Sequence, residues 1–117
     1  FVVDAEAAVA QALPDCISVS YGHVGDGNVH LNVLPPNGST PEERHERIYK
    51  AKKVVNGVVD TYAGSISAEH GIGRLKREDF EERLSDTKRN LMVAIKKAID
   101  PDLLLNPHCQ IDLGTSA

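Results

Sequence analysis

The chain has 117 residues, the size of one ordinary domain, and its 41% hydrophobic and 26% charged content is that of a globular protein. Its 17 acidic against 13 basic residues give a net charge of −4 with no basic stripe, and only 4% are aromatic, which excludes a nucleic-acid partner held by phosphates or stacked bases. No apolar run reaches the roughly 20 residues of a membrane span, and Cys16 and Cys109 sit in a sequence too aliphatic to need a disulfide. The expectation is therefore a cytoplasmic protein with reduced thiols.

Residues 1–13 place Val2, Val3, Ala5, Ala8, Val9, Ala12 and Leu13 in a helical period, and Pro14 stops the pattern. A helix at the first residue suggests the remainder of something longer. Residues 16–22 and 29–34 are rich in Val, Ile and Tyr and flank Gly25-Asp26-Gly27-Asn28, where Asp-Gly suits a two-residue type I′ hairpin turn. With that turn, His23 faces His30 and Tyr21 faces Asn32. Thr40-Pro41-Glu42-Glu43 forms a capping box with proline at the first helical position. The helix it starts runs to about residue 62 or 63, burying Ile48, Ala51, Val55, Val58, Val59 and Tyr62, with Gly64 as its stop.

Residues 65–68 read as a short strand, 69–73 as a glycine-rich bend, and 74–84 are ambiguous. A last helix over 85–99 buries Leu91, Met92, Ile95 and Ile99 before Asp100-Pro101 ends it. The order helix, strand, strand, helix, strand, helix predicts an α+β fold: a ferredoxin-like antiparallel sheet with helices packed on one face, lacking its first strand.

Directly opposed residues of a hairpin share a face with Cβ atoms about 4.5–5.5 Å apart, so His23 and His30 can converge on one point. A catalytic zinc typically takes three N or O ligands and keeps one position open. The third ligand has two candidates, Glu69 and His70, on a bend whose glycines allow close approach. Each group also has a plainer reading: two facing histidines as a surface pair, Glu69 as a solvated carboxylate, Asn28 as a turn residue, Lys76 and Arg77 as a solvated basic pair. His45, among Glu43, Arg44, Glu46 and Arg47, reads as surface, and His108 is open.

The segments Gly22-His23-Val24-Gly25-Asp26-Gly27-Asn28-Val29-His30-Leu31-Asn32, Ser67-Ala68-Glu69-His70-Gly71-Ile72-Gly73 with Lys76, and Leu105-Asn106-Pro107 together resemble the C-terminal cap of the FAD-linked 2-hydroxyacid dehydrogenases. That family includes D-lactate dehydrogenase, the glycolate oxidase flavin subunit and D-2-hydroxyglutarate dehydrogenase. The resemblance runs from about residue 16 to about 111. It implies that His23, His30 and Glu69 bind a divalent ion (zinc, manganese or iron), that His70 is the base, and that Asn32 helps to hold a small 2-hydroxy acid. Flavin accepts the hydride in such enzymes, and the metal lowers the hydroxyl pKa while fixing the substrate.

The sequence also departs from the family pattern. The FAD-binding domain of such enzymes lies N-terminal to the cap, residues 1–15 lack the family's substrate-carboxylate arginine, and Asn106-Pro107 is followed by His108-Cys109-Gln110 instead of Gly-Lys. The chain thus reads as a single domain, 1–117, the substrate- and metal-binding half of a larger flavoenzyme and inactive without its flavin domain. Its electron acceptor could bring it to a membrane surface, and a face left bare of the flavin domain could support a homo-oligomer. The competing reading is a stand-alone divalent-metal-binding domain or metal-dependent hydrolase without flavin chemistry.

Overall fold

The hydroxyl of Thr40 accepts the backbone N–H of Glu43 at 3.2 Å, and the Glu43 carboxylate accepts that of Thr40 at 2.9 Å, closing the expected capping box. From it runs the longest helix in a computed structural model that describes residues 1–113. The elements are α1 (Val2–Ala12), β1 (Ile17–Tyr21), β2 (His30–Leu34), α2 (Pro41–Thr61), α3 (Arg77–Glu81) and α4 (Asp86–Ile99), with a 3-10 turn, Val24–Asp26, between the strands. The fold is α+β, as expected, with a partial sheet. The chain divides into two compact units, Phe1–Glu69 and a second beginning at His70.

In the first unit α1 packs against α2 and β1. Its stripe is Ala5, Val9 and Leu13, all buried and spaced four residues apart on one helical face, and α2 adds Ala51 and Val59 to the buried core. Burying a side chain such as Val9 completely contributes about 1.5–3 kcal/mol. The edges are tied by polar contacts. Ser20 Oγ donates to Glu6 at 2.6 Å, Tyr62 Oη donates to Asp4 at 2.5 Å, and Arg47 grips one oxygen of Asp15 through two nitrogens at 2.8 and 3.0 Å. The hydrogen bond from Arg47 holds the Asp15 carboxyl below the usual carboxylate range, and the bond to Asp4 raises the Tyr62 phenol.

The stripe of α2 is narrower than expected. Ala51 and Val59 are buried, but Ile48 and Tyr62 are about half exposed, at 53% and 52%. Ile48 instead borders a cavity of about 400 Å³ between α2 and β2, lined also by Leu31, Val33 and Val55.

The strands pair antiparallel, with Tyr21 opposite His30, Val19 opposite Asn32 and Ile17 opposite Leu34. Ser18, Ser20, Leu31 and Val33 alternate with these and are partly buried, on the side where the helices pack; Ile17, Val19, Tyr21, Asn32 and Leu34 are exposed. Helices therefore cover one face, and the other carries His30 and Asn32.

Residues 65–68 do not form the expected strand. Ser65 Oγ accepts the N–H of Ser67 at 3.2 Å and donates to its carbonyl at 3.0 Å, so both polar groups of a would-be ladder residue are spent locally.

In the second unit, α3 resolves the ambiguous stretch 74–84, and Ser85 caps α4 by accepting the N–H of Lys88 at 3.4 Å. The apolar stripe of α4 is not buried: Leu91, Ile95 and Ile99 are more than half exposed. Met92, Ile95 and Ile99 border an open cavity of about 530 Å³ that the loop after Pro101 covers only in part. Asp100 anchors that loop, accepting Lys96 Nζ at 2.5 Å and the backbone N–H groups of Leu104 and Leu105 at 2.9 Å each. The Lys96 bond, then those N–H groups, hold its carboxyl below the usual range. Asn106 takes a left-handed φ of 46°, and the carbonyl of Pro107 accepts Arg74 Nε at 3.1 Å.

Candidate functional site

The loop joining the strands is longer than the two-residue turn expected from Asp-Gly. It spans the eight residues 22–29. The carbonyl of His23 accepts the N–H of Asp26 at 2.9 Å and of Asn28 at 3.2 Å, and Gly27 closes the turn at φ 70° by donating to Val24 at 3.0 Å. His23 therefore stands in the loop, and the residue opposite His30 is Tyr21. Gly22, at φ 140°, admits the close return of the chain, since a Cβ there would lie 2.7 Å from the carbonyl oxygen of Asn28.

The altered pairing still brings both histidines to one carboxylate. His23 Nε2 lies 3.7 Å from Glu69 Oε1, and His30 Nε2 lies 3.8 Å from Glu69 Oε2. The His23 side chain is 71% exposed, that of His30 27% and that of Glu69 41%. The His30 ring stacks on Tyr21, with centroids 5.2 Å apart and planes 16° from parallel, and Asn32 Nδ2 donates to the Tyr21 hydroxyl at 3.3 Å. Asn32 thus shares the exposed face with His30. His70 follows Glu69 directly in the chain, is exposed and opens the second unit.

Two imidazoles and a carboxylate are the donor chemistry of a divalent-ion site. Bonds of about 2.0–2.2 Å arranged tetrahedrally set donor separations of about 3.4 Å, and both imidazole–carboxylate gaps exceed that by a few tenths of an ångström. Among the described residues no three His, Cys, Asp or Glu side chains are closed into a metal-holding group. Tetrahedral ligation would require each imidazole and the carboxylate to draw closer together. The residue that sequence reading passed over is Asn28. Its Nδ2 donates to Glu69 Oε1, and its buried Oδ1 has no hydrogen-bond partner among the described residues.

Comparison with known proteins then decides the family. The pattern of the family described as "FAD linked oxidases, C-terminal domain" matches residues 1–109. The chain belongs to this family. Among relatives of the FAD-linked oxidase cap, a D-2-hydroxyglutarate dehydrogenase of Stutzerimonas stutzeri is 39% identical over 107 residues, covering 92% of this chain and 23% of its own length. A D-2-hydroxyglutarate–pyruvate transhydrogenase of Saccharomyces cerevisiae is 38% identical over 91 residues, 78% of this chain and 17% of the relative. A D-lactate dehydrogenase of Anaerostipes hadrus is 33% identical over 88 residues, 75% and 18% respectively. The chain spans less than a quarter of the length of these relatives. The chain therefore corresponds to the C-terminal domain of FAD-linked oxidases, which are far longer proteins. Among the described residues no helix is long and apolar enough to cross a membrane.

Proposed function

We propose that this chain is the substrate- and metal-binding half of a flavin-dependent dehydrogenase that oxidises a small D-2-hydroxy acid to the 2-oxo acid. The observation that carries this reading is the approach of His23 and His30 to opposite oxygens of Glu69, on the sheet face that the helices leave open. His23, His30 and Glu69 would hold a divalent ion, zinc, manganese or iron, and FAD would be held by a flavin-binding domain outside this chain. When bound, the ion supplies a Lewis acid for the substrate's oxygens, and the flavin supplies the hydride acceptor.

The residues of this chain do the rest. Asn32 presents its side-chain amide beside the Tyr21 hydroxyl on the ligand face and orients the substrate. His70 takes the hydroxyl proton on a ring nitrogen; the α-hydrogen leaves with its electron pair as hydride, and the C–O bond becomes a carbonyl. A neutral imidazole suits that proton transfer near neutral pH. Ile17, Val19 and Leu34, exposed on the same face, offer apolar area to the flavin-binding domain or, without it, to a second copy. The proposed compartment is the cytoplasm, where the free thiols of Cys16 and Cys109 stay reduced.

The test is turnover by the intact flavoprotein of D-2-hydroxyglutarate and D-lactate with a dye as electron acceptor. His70→Ala is expected to lower kcat by about 10²–10⁴-fold while metal content is unchanged. No oxidation of either acid by metal-loaded, FAD-replete protein, or a His70→Ala rate equal to wild type, would contradict the assignment.

A further inference from the structure

Asn28 stands where the 3-10 turn returns to β2, and its backbone is fixed from two sides. Its N–H donates to the carbonyl of His23 at 3.2 Å, and its own carbonyl lies so close over Gly22 that a Cβ there would approach to 2.7 Å. A side chain launched from so constrained a backbone has little freedom to wander. Its Nδ2 donates to Glu69 Oε1, the oxygen that faces His23. The other oxygen, Oε2, faces His30 at 3.8 Å.

A carboxylate on the long, flexible stem of a glutamate can rotate freely about its last bond; a hydrogen bond to one oxygen fixes the plane of the group and so the direction of the second oxygen. We infer that Asn28 is a positioning residue for Glu69, holding Oε1 through its amide so that Oε2 is the oxygen presented on the His30 side. The inference rests on the proposed metal-binding role of His23, His30 and Glu69 and deepens it. The orientation of the amide is fixed by its partner: turned about, Asn28 would set its carbonyl oxygen against a carboxylate oxygen, two acceptors in contact. The buried Oδ1, without a partner among the described residues, marks a side chain held for its donor end. Outer partners that orient a ligand typically account for 10–100-fold in metal affinity.

The experiment is a Co²⁺ titration of the intact protein, read by the visible absorption bands that report both affinity and ligand arrangement. Asn28→Leu keeps the shape of the side chain and removes donor and acceptor together. Asn28→Ser, which suits a turn but is too short to reach Glu69, serves if the leucine variant does not fold. Both are expected to weaken Co²⁺ binding by about 10–100-fold and to change the band shape, with the melting temperature of the metal-free protein unchanged. In a Glu69→Ala background, where two imidazoles still give a weaker site, the same substitutions are expected to have no further effect.

Co²⁺ binding at wild-type strength in the Asn28 variants would overturn the inference and leave the metal site standing. So would an Asn28 effect that persists at full size in the Glu69→Ala background. Wild-type protein with no Co²⁺ site sensitive to His23→Ala would overturn the metal reading itself, and the inference with it.

Discussion

The ring of Tyr21 lies nearly parallel to that of His30 across the strand pair, with centroids 5.2 Å apart and planes at 16°. Offset stacking of this kind holds an imidazole by one face and leaves its edge free, and Nε2 on that edge faces Glu69 Oε2 at 3.8 Å. Tyr21→Phe keeps the stacked ring and is expected to retain metal affinity. Tyr21→Ala releases the imidazole, and affinity should fall by about tenfold or more. Competition with a chromophoric chelator measures both, and equal affinities for the two variants would show that the stack does not orient His30.

The capping box at Thr40 makes a prediction on stability. Thr40→Ala removes the acceptor for the Glu43 N–H and should cost about 0.5–2 kcal/mol, whereas Thr40→Ser should cost little. Urea unfolding followed by circular dichroism checks this through the midpoint at constant slope. An unchanged midpoint for the alanine variant would mean that tertiary packing of Ala51 and Val59 alone holds the start of α2.

Acid should destabilise the second unit through Asp100. The hydrogen bond from Lys96, together with the N–H groups of Leu104 and Leu105, lowers the pKa of Asp100 in the folded chain. A folded pKa below the unfolded value, near 3.9, means the folded state binds the proton less readily. The stabilisation is therefore complete above about pH 4 and is lost as pH falls through the lower, folded pKa. Thermal unfolding over an acid pH series should show this loss in wild type and a shallower one in Asp100→Asn; identical acid slopes would exclude Asp100 as a contributor.

Much of this was legible in the residues, for identifiable reasons. The Thr40 capping box, the Pro14 stop and the helical spacing of apolar residues over 2–13 are local signals, and each element formed where they placed it. The hairpin was legible in its faces but not in its register. Asp26-Gly27 predicts His23 opposite His30, whereas Tyr21 takes that place because the His23 carbonyl captures two N–H groups and builds a 3-10 turn. The slip is two residues, so every strand side chain stays on its expected face. That is why His30 and Asn32 still share the exposed surface, and why His23, though in the loop, still reaches Glu69.

The misreadings concern what surrounds an element. Residues 65–68 have strand-like composition, but Ser65 satisfies the backbone of Ser67 in place. Leu91, Ile95 and Ile99 are spaced as a buried stripe, yet all three are more than half exposed and the latter two border an open cavity, because periodicity fixes the face of a helix without saying what covers it. Asn28 carried no sequence signal beyond turn preference. Its partner is 41 residues away, and only the folded chain brings the two together.

Metal binding by His23, His30 and Glu69 is tested by the metal content of the intact protein, measured by elemental analysis before and after chelation, for wild type and for a His23→Ala, His30→Ala double variant. Wild type is expected to hold about one equivalent of zinc, manganese or iron, removable by chelator and restored on reloading, and the double variant none. Wild-type protein that takes up no ion after incubation with these metals, or a double variant that holds as much as wild type, would contradict it.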